Sequence, residues 1–173
     1  MREFILGGAR SGKSALAERL AAESGLAVTY IATAGGSDAE LARRIERHAA
    51  RRPAHWGLVE EPLALAERLE ALAAPNACLL VDCLTLWLTN LLLLDDPRRL
   101  DSACAELLDV VPQLPGHLIF VSNETGLGVV PLGELTRRYV DAAGELHQAL
   151  AARCERVVLT VAGLPLTLKG IPL

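Results

Sequence analysis

The sequence has few aromatic residues and no excess of positive charge. Phe, Trp and Tyr make up 3% of its 173 residues, and the formal net charge is −4 at pH 7. Proteins dedicated to nucleic-acid binding usually carry a broad basic surface or aromatic side chains on which bases stack. The composition therefore argues against nucleic acid as a partner and leaves a small anionic ligand open.

Long hydrophobic runs and closely spaced cysteines are also missing. The strongest apolar run, at residues 84–94, is shorter than the roughly 20 residues that a membrane span needs and contains Thr and Asn. It predicts a buried helix and no membrane span. No CxxC spacing occurs, so we expect reduced thiols in the cytoplasm and no cysteine metal site. The four cysteines are Cys78, Cys83, Cys104 and Cys154.

Short β-type runs alternate with longer helical patterns along the chain, which predicts a mostly parallel sheet covered by helices. We expect one domain over residues 1–173, with an antiparallel edge hairpin at the C-terminal end. The predicted strands are Glu3–Leu6, Val28–Ala32, Ala77–Val81, Leu118–Ser122 and Arg156–Val161. The predicted helices are Lys13–Glu23, Asp38–Arg51, Leu63–Leu72, Leu84–Leu94, Arg98–Val110 and Gly133–Cys154.

Residues 7–14, GGARSGKS, match the phosphate-binding pattern G-x-x-x-x-G-K-[ST] between a predicted strand and a predicted helix. Glycines allow the backbone N–H groups to turn toward phosphate oxygens, and the helix N-terminus adds favourable partial charge. Lys13 would reach the β- and γ-phosphates, and the Ser14 hydroxyl would bind Mg²⁺. The alternative is a glycine-rich turn with an exposed lysine. The motif predicts a P-loop NTPase (RecA-like) three-layer fold.

Polar residues follow two other predicted strands. Asp82 comes directly after an apolar run, where the acidic partner of a P-loop helps to hold Mg²⁺; the alternative is a helix N-cap before residue 84. Asn123 and Glu124 follow the strand at 118–122 and precede a glycine-rich loop. The carboxyl ends of strands in open α/β sheets face the ligand crevice, although a plain strand–helix connection is the alternative.

The stretch around residues 43–52 carries five arginines and one histidine, interrupted by a single acidic residue. On a helix, His48 lies at the seam between the apolar side and the arginines. Charge at this density is relieved by an anionic partner such as a nucleoside triphosphate, while an ordinary solvated basic helix is the alternative.

The chain resembles the bifunctional cobinamide kinase / cobinamide-phosphate guanylyltransferase family of cobalamin biosynthesis. Some relatives carry two adjacent histidines in the basic helix, whereas this sequence has Arg47 before His48. The shared motifs run in family order: GGARSGKS at 7–14, YIAT at 30–33, RIERHAARRPAHW at 44–56 followed by Glu60, LLVDCLTLWLTNLL at 79–92, and SNETGLGVVP at 122–131.

The resemblance implies that His48 carries GMP covalently and that Lys13 is catalytic. It implies ATP or GTP as phosphoryl donor, Mg²⁺ as cofactor through Ser14 and Asp82, adenosylcobinamide and its phosphate as corrinoid substrates, and a homo-oligomer such as a trimer. Glu124 is a candidate base for the kinase step. The implied nucleotide contacts are Gly7, Gly8, Ala9, Arg10, Ser11, Gly12, Lys13, Ser14, Thr33, Ala34, Gly35, Ala49, Ala50, Arg51, Arg52, Glu60 and Asp82.

Two other functions remain open on sequence alone. A different P-loop small-molecule kinase would explain the glycine-rich loop and Asp82 but give His48 no role. A nucleotide switch without catalytic activity would explain the fold alone.

Overall fold

The computed structural model describes residues 1–34, 53–94 and 96–173, and these ranges contain seven strands and five helices. The strands are β1 (Arg2–Gly7), β2 (Ala27–Ala32), β3 (Gly57–Glu60), β4 (Ala77–Asp82), β5 (His117–Asn123), β6 (Arg156–Val161) and β7 (Leu164–Lys169). The helices are α1 (Lys13–Glu23), α2 (Leu65–Leu72), α3 (Leu84–Leu93), α4 (Pro97–Val110) and α5 (Glu134–Arg153).

The strands form one sheet in the order β3-β2-β4-β5-β1-β6-β7. Every neighbouring pair is parallel except β6 and β7, which form the antiparallel edge hairpin expected from the sequence. The central strands are almost continuously apolar because both faces of the sheet are covered, as is usual for parallel sheets. In β5, for example, the five residues Leu118–Ser122 are all buried.

Two hydrophobic clusters, one on each face, make up the core. On one face α1 packs through Leu16 and Leu20 against Ile5 and Ile119. The other cluster holds buried side chains from α2, α3, α4 and α5, among them the fully buried Trp87. The arrangement has three layers, helix–sheet–helix, as the alternating pattern predicts.

Local chemistry explains why the helices begin and end close to the predicted positions. The helix α4, for example, begins after Asp96, whose carboxylate accepts hydrogen bonds from the N–H groups of Arg98 at 3.0 Å and Arg99 at 3.4 Å. The five predicted strands and five of the predicted helices are confirmed to within two residues at each end. The predicted helix Asp38–Arg51 lies outside the described residues.

The prediction missed β3, which pairs with β2 over four residues. Its sequence, GLVE, is too short to show a period, and three of its four residues are exposed at the sheet edge. Within the described ranges, no helix is both long and apolar enough to cross a bilayer.

Parallel pairing brings the carboxyl ends of β1 to β5 to a single edge of the sheet. Gly7 lies opposite Asn123 in the register, and Ala32 lies opposite both Glu60 and Asp82. The residues that the sequence analysis singled out at the ends of four predicted strands therefore lie at one edge of the sheet. The end of β3, which the sequence did not predict, lies at the same edge.

Candidate functional site

The glycine-rich loop joins β1 to α1 as the motif requires. Gly12 is the N-cap of α1 and has φ +97°, a left-handed conformation that favours glycine. The N–H of Ser11 donates to the carbonyl of Gly8 at 3.2 Å, which closes a turn. Lys13 Nζ donates to the same carbonyl at 3.2 Å, so its ammonium group lies over the loop. Residues 8–10 are exposed and leave the concave side of the loop accessible.

Gly7 is required by close packing. A Cβ atom at this position would lie 2.3 Å from Ser11 Oγ and 2.6 Å from the carbonyl oxygen of Thr160. The neighbouring Gly8 has nothing within 4 Å of an added Cβ. The first glycine of the motif is therefore fixed by the fold, whereas the second is free of steric constraint from the protein.

We expect Gly7→Ala to lower the free energy of unfolding by about 2 kcal/mol, because backbone or Ser11 must shift to admit the methyl group. Gly8→Ala is the matched control and should unfold within about 0.5 kcal/mol of the parent. Urea denaturation of both variants measures the difference. Equal stabilities would show that the loop relaxes around the extra methyl without cost.

The turn of the C-terminal hairpin contacts the glycine-rich loop. The N–H of Gly163 donates to the carbonyl of Ser11 at 2.8 Å, and a Cβ at Gly12 would lie 3.2 Å from Gly163 Cα. The sequence predicts the hairpin but not this contact, since a pattern of turn residues does not reveal which distant loop the turn touches. The hairpin therefore helps to hold the loop conformation.

Asp82 ends β4 with a half-buried side chain. Its Oδ2 accepts a hydrogen bond from the Tyr30 hydroxyl at 3.0 Å. The N-cap residue of α3 is Cys83, and Asp82 precedes it at the end of β4. The alternative interpretation of Asp82 as a helix cap is therefore wrong.

The charges of Asp82 and of Lys13 in the glycine-rich loop act on the Cys83 thiol in opposite directions. Burial, first, and the Asp82 carboxylate raise the pKa of this thiol to about 11, while the charge of Lys13 acts in the opposite direction. The thiol is therefore protonated at neutral pH and is a poor nucleophile. Both Lys13 and Asp82 lie close enough to this side chain for their charges to act on it. All four cysteines are free, as expected.

Thr33 joins the ends of β2 and β4. Its Oγ1 donates to the carbonyl of Cys83 at 2.6 Å and accepts from the Cys83 N–H at 3.0 Å. The side-chain amide of Asn90 donates to the Thr33 carbonyl at 2.8 Å. Ala34 is half-buried beside it, and Glu60 is exposed at the end of β3. That Thr33, Ala34 and Glu60 contact the nucleotide stays a prediction.

The end of β5 lies against the glycine-rich loop. The N–H of Glu124 donates to the carbonyl of Gly7 at 3.1 Å, and the N–H of Asn123 donates to Thr85 Oγ1 at 2.8 Å. A buried histidine of α5, His147, approaches Ser122 Oγ to 2.8 Å with Nε2 and Glu124 Oε2 to 4.0 Å with Nδ1. Sequence reasoning missed His147 because nothing in the pattern of α5 separates it from a core residue.

The structure thus brings residues 7–14, Thr33, Ala34, Glu60, Asp82 and Glu124 to one edge of the sheet. The remaining predicted site residues, Gly35, His48, Ala49, Ala50, Arg51 and Arg52, lie outside the described residues.

A parallel sheet with a glycine-rich loop, a lysine over that loop and an acidic residue on a nearby strand defines the class of P-loop nucleotide-binding proteins. Solved structures agree on the fold. An ATPase of a type III secretion system superposes with a TM-score of 0.56 at 14% identity, over 96% of this chain and 56% of that one. The RadB recombinase gives 0.54 at 17% identity, over 91% of this chain and 73% of that one. This chain thus spans little more than half of the secretion ATPase.

The family model described as cobinamide kinase / cobinamide phosphate guanyltransferase matches residues 3–168. The bifunctional adenosylcobalamin biosynthesis protein CobP of Pseudomonas aeruginosa is 71% identical over 173 residues, covering 100% of both chains. The protein CobU of Escherichia coli, which carries the same description, is 38% identical over 98% of this chain and 100% of its own. The chain belongs to the cobinamide kinase / cobinamide phosphate guanyltransferase family, and the prediction of a bifunctional transferase is confirmed.

Proposed function

We propose that the protein phosphorylates adenosylcobinamide with ATP or GTP and then transfers GMP from GTP to the product through a guanylyl-histidine at His48. The product is adenosylcobinamide-GDP. One observation carries the proposal. Lys13 lies over the glycine-rich loop at the edge of the sheet where Asp82 ends β4 and Glu124 follows β5. The proposal includes a single catalytic domain, a homo-oligomer such as a trimer, and a cytoplasmic location.

In the kinase step, the hydroxyl of the acceptor attacks the γ-phosphorus and the nucleoside diphosphate leaves. Charge develops on the phosphoryl oxygens during transfer, so fixed donors stabilise the transition state more than the ground state. Loop amides from Gly8 to Ser14 supply such donors, and Lys13 supplies a point charge. The contact from Lys13 to the Gly8 carbonyl supports this role, because it holds the ammonium group over the loop before nucleotide arrives.

The residues at the site fit Mg²⁺. Magnesium usually takes one or two protein ligands and completes its octahedron with water and phosphate oxygens. Ser14 and Asp82 would hold it, the first by its hydroxyl and the second directly or through water. One Asp82 oxygen accepts from Tyr30, which fixes the carboxylate and leaves lone pairs for the metal or its water. When bound, the ion would neutralise phosphate charge.

In the second step, an imidazole nitrogen of His48 attacks the α-phosphorus of GTP, and pyrophosphate leaves. The phosphate of the corrinoid then attacks the same phosphorus and takes GMP from the histidine. Imidazole suits this role because, with an unperturbed pKa of about 6.5, much of it is neutral at cellular pH. Two displacements replace one difficult step, as in other covalent catalysis. Arg51 and Arg52 are our candidates for neutralising the triphosphate.

The test is intact-protein mass measurement after incubation with GTP and Mg²⁺. We expect one added GMP, and we expect label from [α-³²P]GTP but none from [γ-³²P]GTP. An enzyme that phosphorylates cobinamide without acquiring GMP would support a P-loop small-molecule kinase. Nucleotide binding with no turnover of cobinamide would support a nucleotide switch instead.

Asp82→Asn should mainly weaken the response of the kinase to Mg²⁺, because the amide keeps the shape of the side chain and loses its charge. We expect half-maximal activity at a Mg²⁺ concentration raised by about tenfold. Asp101→Asn, an exposed change of the same kind on α4, is the matched control and should leave the titration unchanged. Coincident Mg²⁺ curves for Asp82→Asn and the parent would exclude Asp82 from metal binding.

A further inference from the structure

A small cavity opens beside Glu124 at the end of β5. Its volume is about 220 Å³, and it lies between the loop that follows β5 and the middle of α5. Glu124, which lines the cavity, donates its N–H to the carbonyl of Gly7, the first residue of the glycine-rich loop. The residues that matter here are Glu124, Thr125, Gly126, Ala143, Gly144 and His147.

The two carboxylate oxygens of Glu124 have different surroundings. Oε1 accepts a hydrogen bond from the N–H of Gly126 at 2.6 Å. Oε2 lies 4.0 Å from His147 Nδ1, which is too long for a hydrogen bond. The side chain is 22% exposed. One oxygen is therefore anchored by the backbone, while the other stays available to accept a proton.

His147 supports this carboxylate from inside the protein. It is buried, its Nε2 lies 2.8 Å from Ser122 Oγ, and its ring meets the ring of Phe4 edge-on. Burial lowers the pKa of His147, against the opposing effect of Glu124, so the imidazole is neutral at neutral pH. A neutral ring does not compensate the charge of Glu124, which keeps the carboxylate free to act as a base.

Neighbouring hydroxyls indicate which nitrogen of His147 carries the proton. Thr85 Oγ1 accepts from the Asn123 N–H at 2.8 Å and lies 3.4 Å from Ser122 Oγ. If Thr85 donates to Ser122, the Ser122 hydroxyl donates to His147 Nε2. The ring proton then sits on Nδ1 and points toward Glu124. In this arrangement the Thr85 hydroxyl donates to Ser122 and the Ser122 hydroxyl donates to His147, so both hydroxyl protons have an acceptor.

We propose that Glu124 is the general base of the kinase step, that His147 is its positioning residue, and that the cavity admits the arm of the corrinoid that bears the acceptor hydroxyl. In the step, the hydroxyl oxygen forms a bond to the γ-phosphorus, and the bond from that phosphorus to the β–γ bridging oxygen breaks. The hydroxyl proton passes to Glu124 Oε2, and the leaving diphosphate keeps the electron pair. This proposal rests on the proposed function for the donor nucleotide and is independent of His48.

Glu124→Gln tests the base. The amide oxygen can still accept from the Gly126 N–H, so we expect normal folding, an unchanged KM for the nucleotide and full uptake of GMP. The kcat for phosphorylation should fall by roughly a hundredfold or more, since general-base catalysis contributes about 10²–10⁴. Glu134→Gln, an exposed change in the first turn of α5, is the control and should keep the parent kcat.

A pH profile distinguishes catalysis from support of the fold. The parent should lose kinase kcat on the acidic side of its pH profile, whereas Glu124→Gln should lack this acidic limb. The titratable groups on which the charge of Glu124 acts include His147 and Tyr139, both on α5. Phosphorylation by Glu124→Gln at the parent rate, or with the same acidic limb, would overturn the assignment.

Three variants test His147. His147→Asn places a polar atom near the position of the ring nitrogen Nδ1, and His147→Gln places one near the position of Nε2. His147→Leu supplies neither polar atom. We expect His147→Asn to keep kcat within about threefold, and both other variants to lose about tenfold to a hundredfold, because only the Nδ1 side faces Glu124. Uptake of GMP should stay at the parent level in all three variants.

Each remaining outcome is informative. If His147→Gln retained kcat and His147→Asn did not, the Ser122 contact would be the essential one and the positioning role would be wrong. If uptake of GMP fell in parallel with kcat, His147 would be structural only. If His147→Leu failed to fold, the Asn and Gln pair would still decide. Absence of GMP uptake in the parent would contradict the proposed function and leave the Glu124 result unaffected.

Discussion

His48→Asn is expected to take up no label from [α-³²P]GTP, whereas the parent enzyme becomes labelled. Asparagine keeps a polar side chain of similar reach but has no nucleophilic ring nitrogen, so the first displacement at the α-phosphorus cannot occur. The variant should still fold and bind GTP. It should also keep part of its kinase activity, because transfer of the γ-phosphoryl group does not use this imidazole.

His55→Asn is the matched control for this experiment. His55 is exposed in the turn that precedes β3, beyond Pro53, and its replacement should leave labelling intact. The bound label in the parent should be lost in acid and survive in alkali, as expected of a phosphoramidate. Label that persists in His48→Asn would assign the nucleophile to a different residue. Label lost in both variants would indicate damage to the GTP site and leave the nucleophile unassigned until each variant's GTP affinity is measured.

The sequence predicted the fold where the physical signal is local. Strands buried on both faces are continuous apolar runs, and glycine, proline and aspartate mark the ends of helices, so β1 and α1 were predicted to within one residue. The glycine-rich loop was predictable for the same reason, because the geometry of a phosphate site requires these residue types at this spacing. The short edge strand β3 was missed because half-exposed strands of four residues carry no such pattern.

The contacts that shape the site were less accessible, since they join residues far apart in the chain. The bond from Gly163 to Ser11 and the approach of His147 to Glu124 depend on how the hairpin and α5 pack. A sequence shows that each of these residues is present, but it does not show which distant residues come into contact. The Thr33 hydroxyl illustrates this, because both of its hydrogen bonds go to the backbone of Cys83, fifty residues away.

Lys13→Ala is expected to reduce phosphorylation of cobinamide by roughly a thousandfold, because removing one preorganised donor from the transition state costs about 10²–10³ and a full charge is lost as well. The fold should be unaffected, since the ammonium group is exposed and, within the part of the chain that the structure describes, it bonds to the Gly8 carbonyl. Single-turnover kinetics at saturating nucleotide would separate this loss from weaker binding. The variant should still bind nucleotide through the loop amides.

The only other lysine of the chain, Lys169, provides the control. Its Nζ donates to the carbonyls of Ala151 and Ala152 at 2.8 and 2.9 Å, at the far end of the hairpin from the glycine-rich loop. Lys169→Ala therefore removes the same charge from the molecule and should keep the parent rate of phosphorylation. A folded Lys13→Ala protein that phosphorylates cobinamide at close to the rate of Lys169→Ala would exclude Lys13 from the chemistry. If Lys13→Arg restored much of the lost rate, charge over the loop would be the requirement; if it did not, the compact ammonium group itself would be needed at the β- and γ-phosphates.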